Sequence, residues 1–109
     1  MNNDLPNEED ISKALHYLAE TDKDYALAIS SVKALEYKIK TIKATTFLES
    51  TGTIAEKQAK SEISKEYIDF TADYKSVVYD RELVSARRKR AELTIEVWRS
   101  LNANRRQGS

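Results

Sequence analysis

Phe47-Leu48-Glu49-Ser50-Thr51-Gly52-Thr53-Ile54-Ala55-Glu56 is the stretch whose reading decides the fold. A long apolar rhythm arrives from the N-terminal side and stops at Phe47-Leu48. Gly52 is the one glycine in the interior of the chain, and it suits the left-handed conformation that follows a helix end. Thr53-Ile54-Ala55-Glu56 then has the form of a capping box, with Thr53 as the cap and Glu56 reaching back. A stop signal and a start signal thus fall within a few residues of each other. A connection that short makes two helices antiparallel neighbours.

Upstream of the turn, Pro6 precedes the acidic run Glu8-Glu9-Asp10, and Asn7 is the natural cap for a helix whose first turn carries acids. From there apolar residues recur every seven positions at Ile11, Leu18, Tyr25, Val32 and Ile39. A companion row follows three residues on, at Ala14, Thr21, Ala28, Leu35 and Ile42. This is the seam of a long bundle helix or coiled coil. Thr21 and Tyr25, with Asp22 and Asp24 around them, are its weak positions, and looser packing is expected there. Downstream, the rhythm resumes at Ile63, Phe70, Val77, Val84, Ala91 and Trp98, widened by Tyr67, Tyr74 and Ile95.

The spacing predicts an all-α chain forming one hairpin domain over 1–109. Its first arm runs over about 8–49, its turn over 50–53, its second arm over about 54–104, and a frayed tail over 105–109. Folding about residue 51 matches Ile63 with Ile39, Phe70 with Val32, and Val84 with Leu18, although ladder packing leaves the register open by a few residues. Trp98 and Leu101 then lie level with Asp4 and Leu5. The arms would span about 60–75 Å at the helical rise.

Composition agrees. Two glycines and one proline in 109 residues are too few for the turns of a β-sandwich or an α/β fold. With 33% charged and 40% hydrophobic residues, the chain is too apolar for disorder throughout and too polar for a wide core. No cysteine is present, which removes disulfides and thiolate metal sites. No apolar run is long enough to span a membrane, and Met1-Asn2-Asn3-Asp4 leads into no apolar signal core, so a cytoplasmic location is expected.

A two-helix hairpin buries little surface per residue. Apolar side chains also remain off the seam at Leu15, Ile29, Val78, Tyr79, Leu83, Leu93 and Val97. A second apolar strip on a long hairpin faces another copy or another protein. Leu15, Ile29, Tyr79, Leu83, Leu93, Val97, Trp98 and Leu101 are therefore candidate interface residues. The expected assembly is a homo-oligomer, first of all a dimer completing a four-helix bundle. The alternative is a three-helix monomer with a break near Thr21–Asp24.

Acids and bases balance at 18 each but are segregated. Residues 1–30 carry seven acids against Lys13 and Lys23, whereas 81–109 carry eight bases against Glu82, Glu92 and Glu96. The basic run Arg87-Arg88-Lys89-Arg90, with Arg99, Arg105 and Arg106, admits two readings. One is contact with a nucleic-acid phosphate backbone. The other is attraction to the acidic start of the first arm or to an acidic partner, which zero net charge favours.

Glu62, Glu66, Asp69 and Asp73 make an acidic stripe at helical spacing. They read as flanking charges facing Lys40 and Lys33 more readily than as a cation site. His16, the sole histidine, falls off the seam and reads as a surface residue. With no nucleophile–base set, no Glu-x-x-His pairs and no glycine-rich phosphate loop, a non-enzymatic protein without cofactor or metal is expected.

Three stretches carry a resemblance. They are Phe47 to Lys57, then Arg87-Arg88-Lys89-Arg90-Ala91-Glu92-Leu93-Thr94-Ile95-Glu96-Val97-Trp98-Arg99-Ser100, and the ending Asn102-Ala103-Asn104-Arg105-Arg106-Gln107. Together they resemble a family of small helical proteins encoded by tailed phages and prophages, over most of the chain from about Phe47 onward. The resemblance implies genes placed near recombination or replication functions and an accessory role in phage DNA metabolism. It brings no catalytic or binding residues with it. The turn lacks the Trp-x-Gly of secreted helical-hairpin proteins.

Overall fold

A computed structural model describes residues 5–107; Met1 to Asp4 and the terminal Gly108-Ser109 lie outside the described residues. The chain is an all-α helical hairpin with no strand among the described residues. Its helices are α1 (Glu8–Glu49), α2 (Ile54–Ile63) and α3 (Lys65–Gln107). No helix in the described residues is long and apolar enough to cross a membrane.

Each helix begins where the backbone finds a cap. At the start of α1, the Asn7 N–H donates to Asp10 Oδ2 at 3.0 Å, and the Asp10 N–H donates back to Asn7 Oδ1 at 2.8 Å. This reciprocal pair satisfies donors that a helix start leaves orphaned, and Glu8, Glu9 and Asp10 sit in the same first turn. At the turn, Gly52 adopts φ 116°, the region that favours glycine. Thr53 Oγ1 accepts from the Glu56 N–H at 3.2 Å and so starts α2, while Lys60 Nζ reaches back to the Thr51 carbonyl at 2.8 Å.

The second arm, expected as one helix, is two. Ser64 lies between them with ψ 145°, outside the helical region. Its hydroxyl donates to the Ser61 carbonyl at 3.1 Å and accepts from the Tyr67 N–H at 3.2 Å, closing α2 and capping α3 in one side chain. The break changes the rotational phase of α2. Ile63, expected on the seam, is 71% exposed, and Ser61 is fully buried in its place. At the other end α3 continues through Gln107, so Arg105 to Gln107 are helical and not a frayed tail.

Contacts divide the chain into two compact units: unit 1, Met1–Ala26 with Glu82–Ser109, and unit 2, Leu27–Arg81. Unit 1 packs the first half of α1 against the second half of α3. Ile11, Ala14 and Ala91 are its buried apolar residues, and the two alanines let the backbones approach closely. Leu18, Ile95 and Trp98 are half-buried along the same seam. Trp98 and Leu101 line one hollow with Leu5, at the level the sequence assigns them.

Unit 2 contains the turn and α2. Val32 is its buried apolar centre at 1% exposure, with Leu35, Ile39, Ile42, Phe70 and Val77 half-buried. Lysines cover its aromatic rings: Lys38 Nζ lies 4.8 Å from the Phe70 centroid and Lys57 Nζ 5.6 Å from that of Phe47. Thr71 Oγ1 is buried with no hydrogen-bond partner among the described residues.

Within each unit the register is offset from the folding rule. Leu18 meets Arg88 where Val84 was expected, and Glu62 pairs with Lys43 at 3.1 Å where Lys40 was expected. The seam rows of α1 stand as read. The offset is already present at Glu62 on α2, between the turn and Ser64, so it enters at the turn and not at the non-helical Ser64.

Candidate interaction surfaces

The basic run does not act as a unit. Its four side chains project around most of the circumference of α3, and one of them turns inward. Arg88 is 15% exposed at its side chain. Nη1 donates to the Leu18 carbonyl at 3.0 Å and to Thr21 Oγ1 at 2.8 Å, and Nη2 donates to Asp22 Oδ1 at 2.6 Å. The guanidinium also sits 5.1 Å from the Tyr25 ring centroid, and the Tyr25 hydroxyl reaches Ser85 Oγ at 3.5 Å. Thr21 is itself anchored, its hydroxyl donating to the Tyr17 carbonyl at 2.7 Å. The segment around Thr21–Asp24, expected to pack loosely or to break, is thus continuous helix and is filled by a bonded guanidinium. Arg88 leaves the set of candidate nucleic-acid contacts and becomes a seam residue.

A sequence signal for this exists. Ile95 and Tyr74, both read as part of the stripe, lie at heptad multiples from Arg88. Continuing their row through an arginine would have placed it on the seam.

Arg87, Lys89 and Arg90 are exposed, and their side chains make no ion pair among the described residues. Arg87 and Arg90 face one groove of about 620 Å³ in unit 1. Lys13, Ala14, Tyr17, Ala91, Leu93 and Val97 line it too. Arg99 pairs locally with Glu96 at 3.5 Å, Arg105 lines the hollow beside Trp98 and Leu101, and Arg106 is exposed.

Of the other candidate interface residues, Leu15, Leu93 and Tyr79 are exposed, and Ile29 and Leu83 are half-buried. Among the strongly exposed large hydrophobic residues that escape the heptad reading are Leu48 at 80% and Ile54 at 74%, with Tyr37 at 75% elsewhere on α1. Leu48 and Ile54 flank the turn and, with Ala44 and Phe47, line a second groove of about 550 Å³ in unit 2 rimmed by Lys40 and Lys43. Capping logic explains why they sit there but says nothing about where they point.

The acidic stripe is interrupted by Ser64. Glu62 stands on α2 against Lys43, and Asp69 lies 3.9 Å from Lys65 on α3. No group of three or more ligand-type side chains gathers around a common point among the described residues. His16 is exposed beside Glu20, with Nε2 2.9 Å from a carboxylate oxygen.

No protein-family model, curated protein or solved structure matches the chain.

Proposed function

We propose that the protein is a non-enzymatic assembly or adaptor module that works through protein–protein contacts and self-associates, first of all as a dimer. The observation that supports this most is the outward apolar surface around the turn. Leu48 and Ile54 are both largely exposed within unit 2, and they line one groove with Phe47 and Ala44. Contiguous exposed apolar surface of this kind marks interaction sites. Of the two rim lysines Lys43 is paired with Glu62, so Lys40 is the rim cation that a two-fold contact would have to place away from its counterpart. Following the sequence resemblance, the proposed setting is a tailed phage or prophage in the cytoplasm of a bacterial host.

The test is light scattering coupled to size exclusion, at low and high salt. A dimer is expected whose mass resists salt and falls to that of a monomer in Leu48→Ser/Ile54→Ser. A monomer at all concentrations, or a dimer that the double variant leaves intact, overturns the reading.

A second reading, accessory nucleic-acid binding, is favoured by the exposed Arg87, Lys89 and Arg90, which make no ion pair among the described residues. It expects co-elution with a short DNA oligonucleotide at low salt, released at high salt. Arg87→Gln/Arg90→Gln should abolish that binding while helicity stays unchanged. Arg88 is left out of the variant because it holds unit 1 together.

A further inference from the structure

The basic-rimmed groove of unit 1 has features that the turn surface lacks. Its lining is mostly apolar, formed by Ala14 and Tyr17 from α1 and by Ala91, Leu93 and Val97 from α3, with Thr94 among them. Leu93 stands 63% exposed on its wall. Its rim carries Lys13, Arg87 and Arg90 against a single acid, Asp10. That acid is already engaged, because its carboxylate accepts the Asn7 N–H at 3.0 Å in the cap of α1. Lys13 has only the exposed local partner Glu9 at 3.2 Å, and the two arginines have no ion-pair partner among the described residues. On the seam the outcome is different, since Arg88 donates to three acceptors. Arginines that line an apolar trough without a counter-charge are poised for one brought by a ligand.

Two occupants compete, and charge decides between them. A two-fold pairing of this groove with itself would set Lys13, Arg87 and Arg90 of one copy against the same residues of the other. Like charges across an isologous contact work against it. The trough between two antiparallel helices suits a third helix laid along it, read through apolar anchors one turn apart. We propose that this groove docks an amphipathic helix of a different protein, one whose apolar stripe is flanked by carboxylates that meet Arg87 and Arg90. This rests on the reading of the chain as an interaction module but not on its self-association.

The test uses the full chain and three fluorescent probes, followed by anisotropy. The first is a helical peptide with leucines at i, i+3 and i+7 flanked by glutamates. The second is the same peptide with every glutamate replaced by lysine. The third is single-stranded oligo-dT. The glutamate peptide is expected to bind about tenfold or more tightly than the lysine peptide. Arg87→Gln/Arg90→Gln is expected to weaken it about tenfold, with helicity and mass unchanged. Leu93→Ser/Val97→Ser, which leaves the charges in place, is expected to weaken it as well.

Equal binding of the two peptides, or full affinity in the arginine variant, overturns the proposal. So does oligo-dT binding that the glutamate peptide cannot displace, which would hand these arginines to nucleic acid. A monomer that still binds the glutamate peptide removes self-association alone. A dimer indifferent to the peptide removes this inference alone.

Discussion

Units 1 and 2 each withdraw a polar side chain from solvent, Arg88 on a seam row and Thr71 one position off it, and they treat it in opposite ways. In unit 1 the side chain is Arg88, which finds the Leu18 carbonyl, Thr21 Oγ1 and Asp22 Oδ1 and lies over the Tyr25 ring. In unit 2 it is Thr71, whose buried hydroxyl finds nothing among the described residues. A bonded seam cation fixes which residues face each other, because any slip of the helices separates it from its acceptors. An orphaned hydroxyl fixes nothing and costs its desolvation. Register in unit 1 is therefore specified by polar chemistry. In unit 2 it rests on the packing of Val32 and on the caps at the turn and at Ser64.

The largest expected effect comes from breaking the bonded side of this contrast. Arg88→Ala leaves the Thr21 hydroxyl and a second lone pair of the Leu18 carbonyl without their partner and opens a gap beside Tyr25. Asp22 is 69% exposed and is left to water at little cost. A loss of about 2 kcal/mol is expected in urea unfolding, from charge-assisted hydrogen bonds to partly buried acceptors. Arg88→Met should recover part of that stability while losing the specification of register, because an apolar side chain of similar length fits a slipped pairing equally well. Hydrogen exchange locates the effect: faster exchange confined to residues 5–26 and 82–107 fits the contrast. Exchange raised equally over 27–81 in Arg88→Ala would show that the lock serves the whole chain.

The opposite side of the contrast offers a gain. Thr71→Val replaces the buried hydroxyl by a methyl of nearly the same shape. A stabilisation of about 1 kcal/mol is expected, since the side chain no longer carries an unsatisfied polar atom. The check is the urea midpoint at unchanged slope. A destabilised Thr71→Val would mean that the hydroxyl is bonded in solution and that the two units are alike after all.

The same contrast explains what the sequence disclosed. The helices, the caps at Asn7 and Thr53, and the glycine of the turn were legible because each depends on residues within one turn of each other. The rows of α1 were legible because no polar residue interrupts them until Thr21. Arg88 was read with its neighbours as a contact either for nucleic acid or for the acidic start of the first arm. It does meet Asp22 there, but its place on the seam was missed because residue type was weighed above heptad position, and its acceptors lie some seventy positions away in the chain. Ser64 was missed because a serine in a charged stretch is ordinary. Only its pairing with Ser61, whose carbonyl it binds, makes it a break. Ile63, the last residue before that break, is exposed, whereas the offset register is already present at Glu62 and enters at the turn. The two grooves were legible only in part. Leu93, Val97, Arg87 and Arg90 were named singly, but which of them share a wall depends on the register, which the folding rule left open by a few residues.

The smallest expected effect tests whether unit 2 has any polar register device of its own. The Tyr74 hydroxyl on α3 donates to Glu36 Oε1 on α1 at 2.9 Å. This hydrogen bond, helped by partial loss of water and by the carboxylate's charge, holds the phenol above its ordinary value of 10.0, with Arg81 pulling the other way. The bond exists only while the phenol keeps its proton. Its contribution is therefore fully present below the ordinary tyrosine range and is lost as pH rises through the raised folded value. Tyrosinate absorbance, taken as the difference between wild type and Tyr74→Phe, should show Tyr74 ionising late. Glu36→Gln should bring that ionisation down, because the amide still accepts the bond but no longer carries the charge. Over the same alkaline range the wild type should lose a small increment of stability that Tyr74→Phe does not. If Glu36→Gln leaves the titration where it was, the pair is a surface contact without influence, and unit 2 is held in register by apolar packing, its caps and the Lys43–Glu62 ion pair.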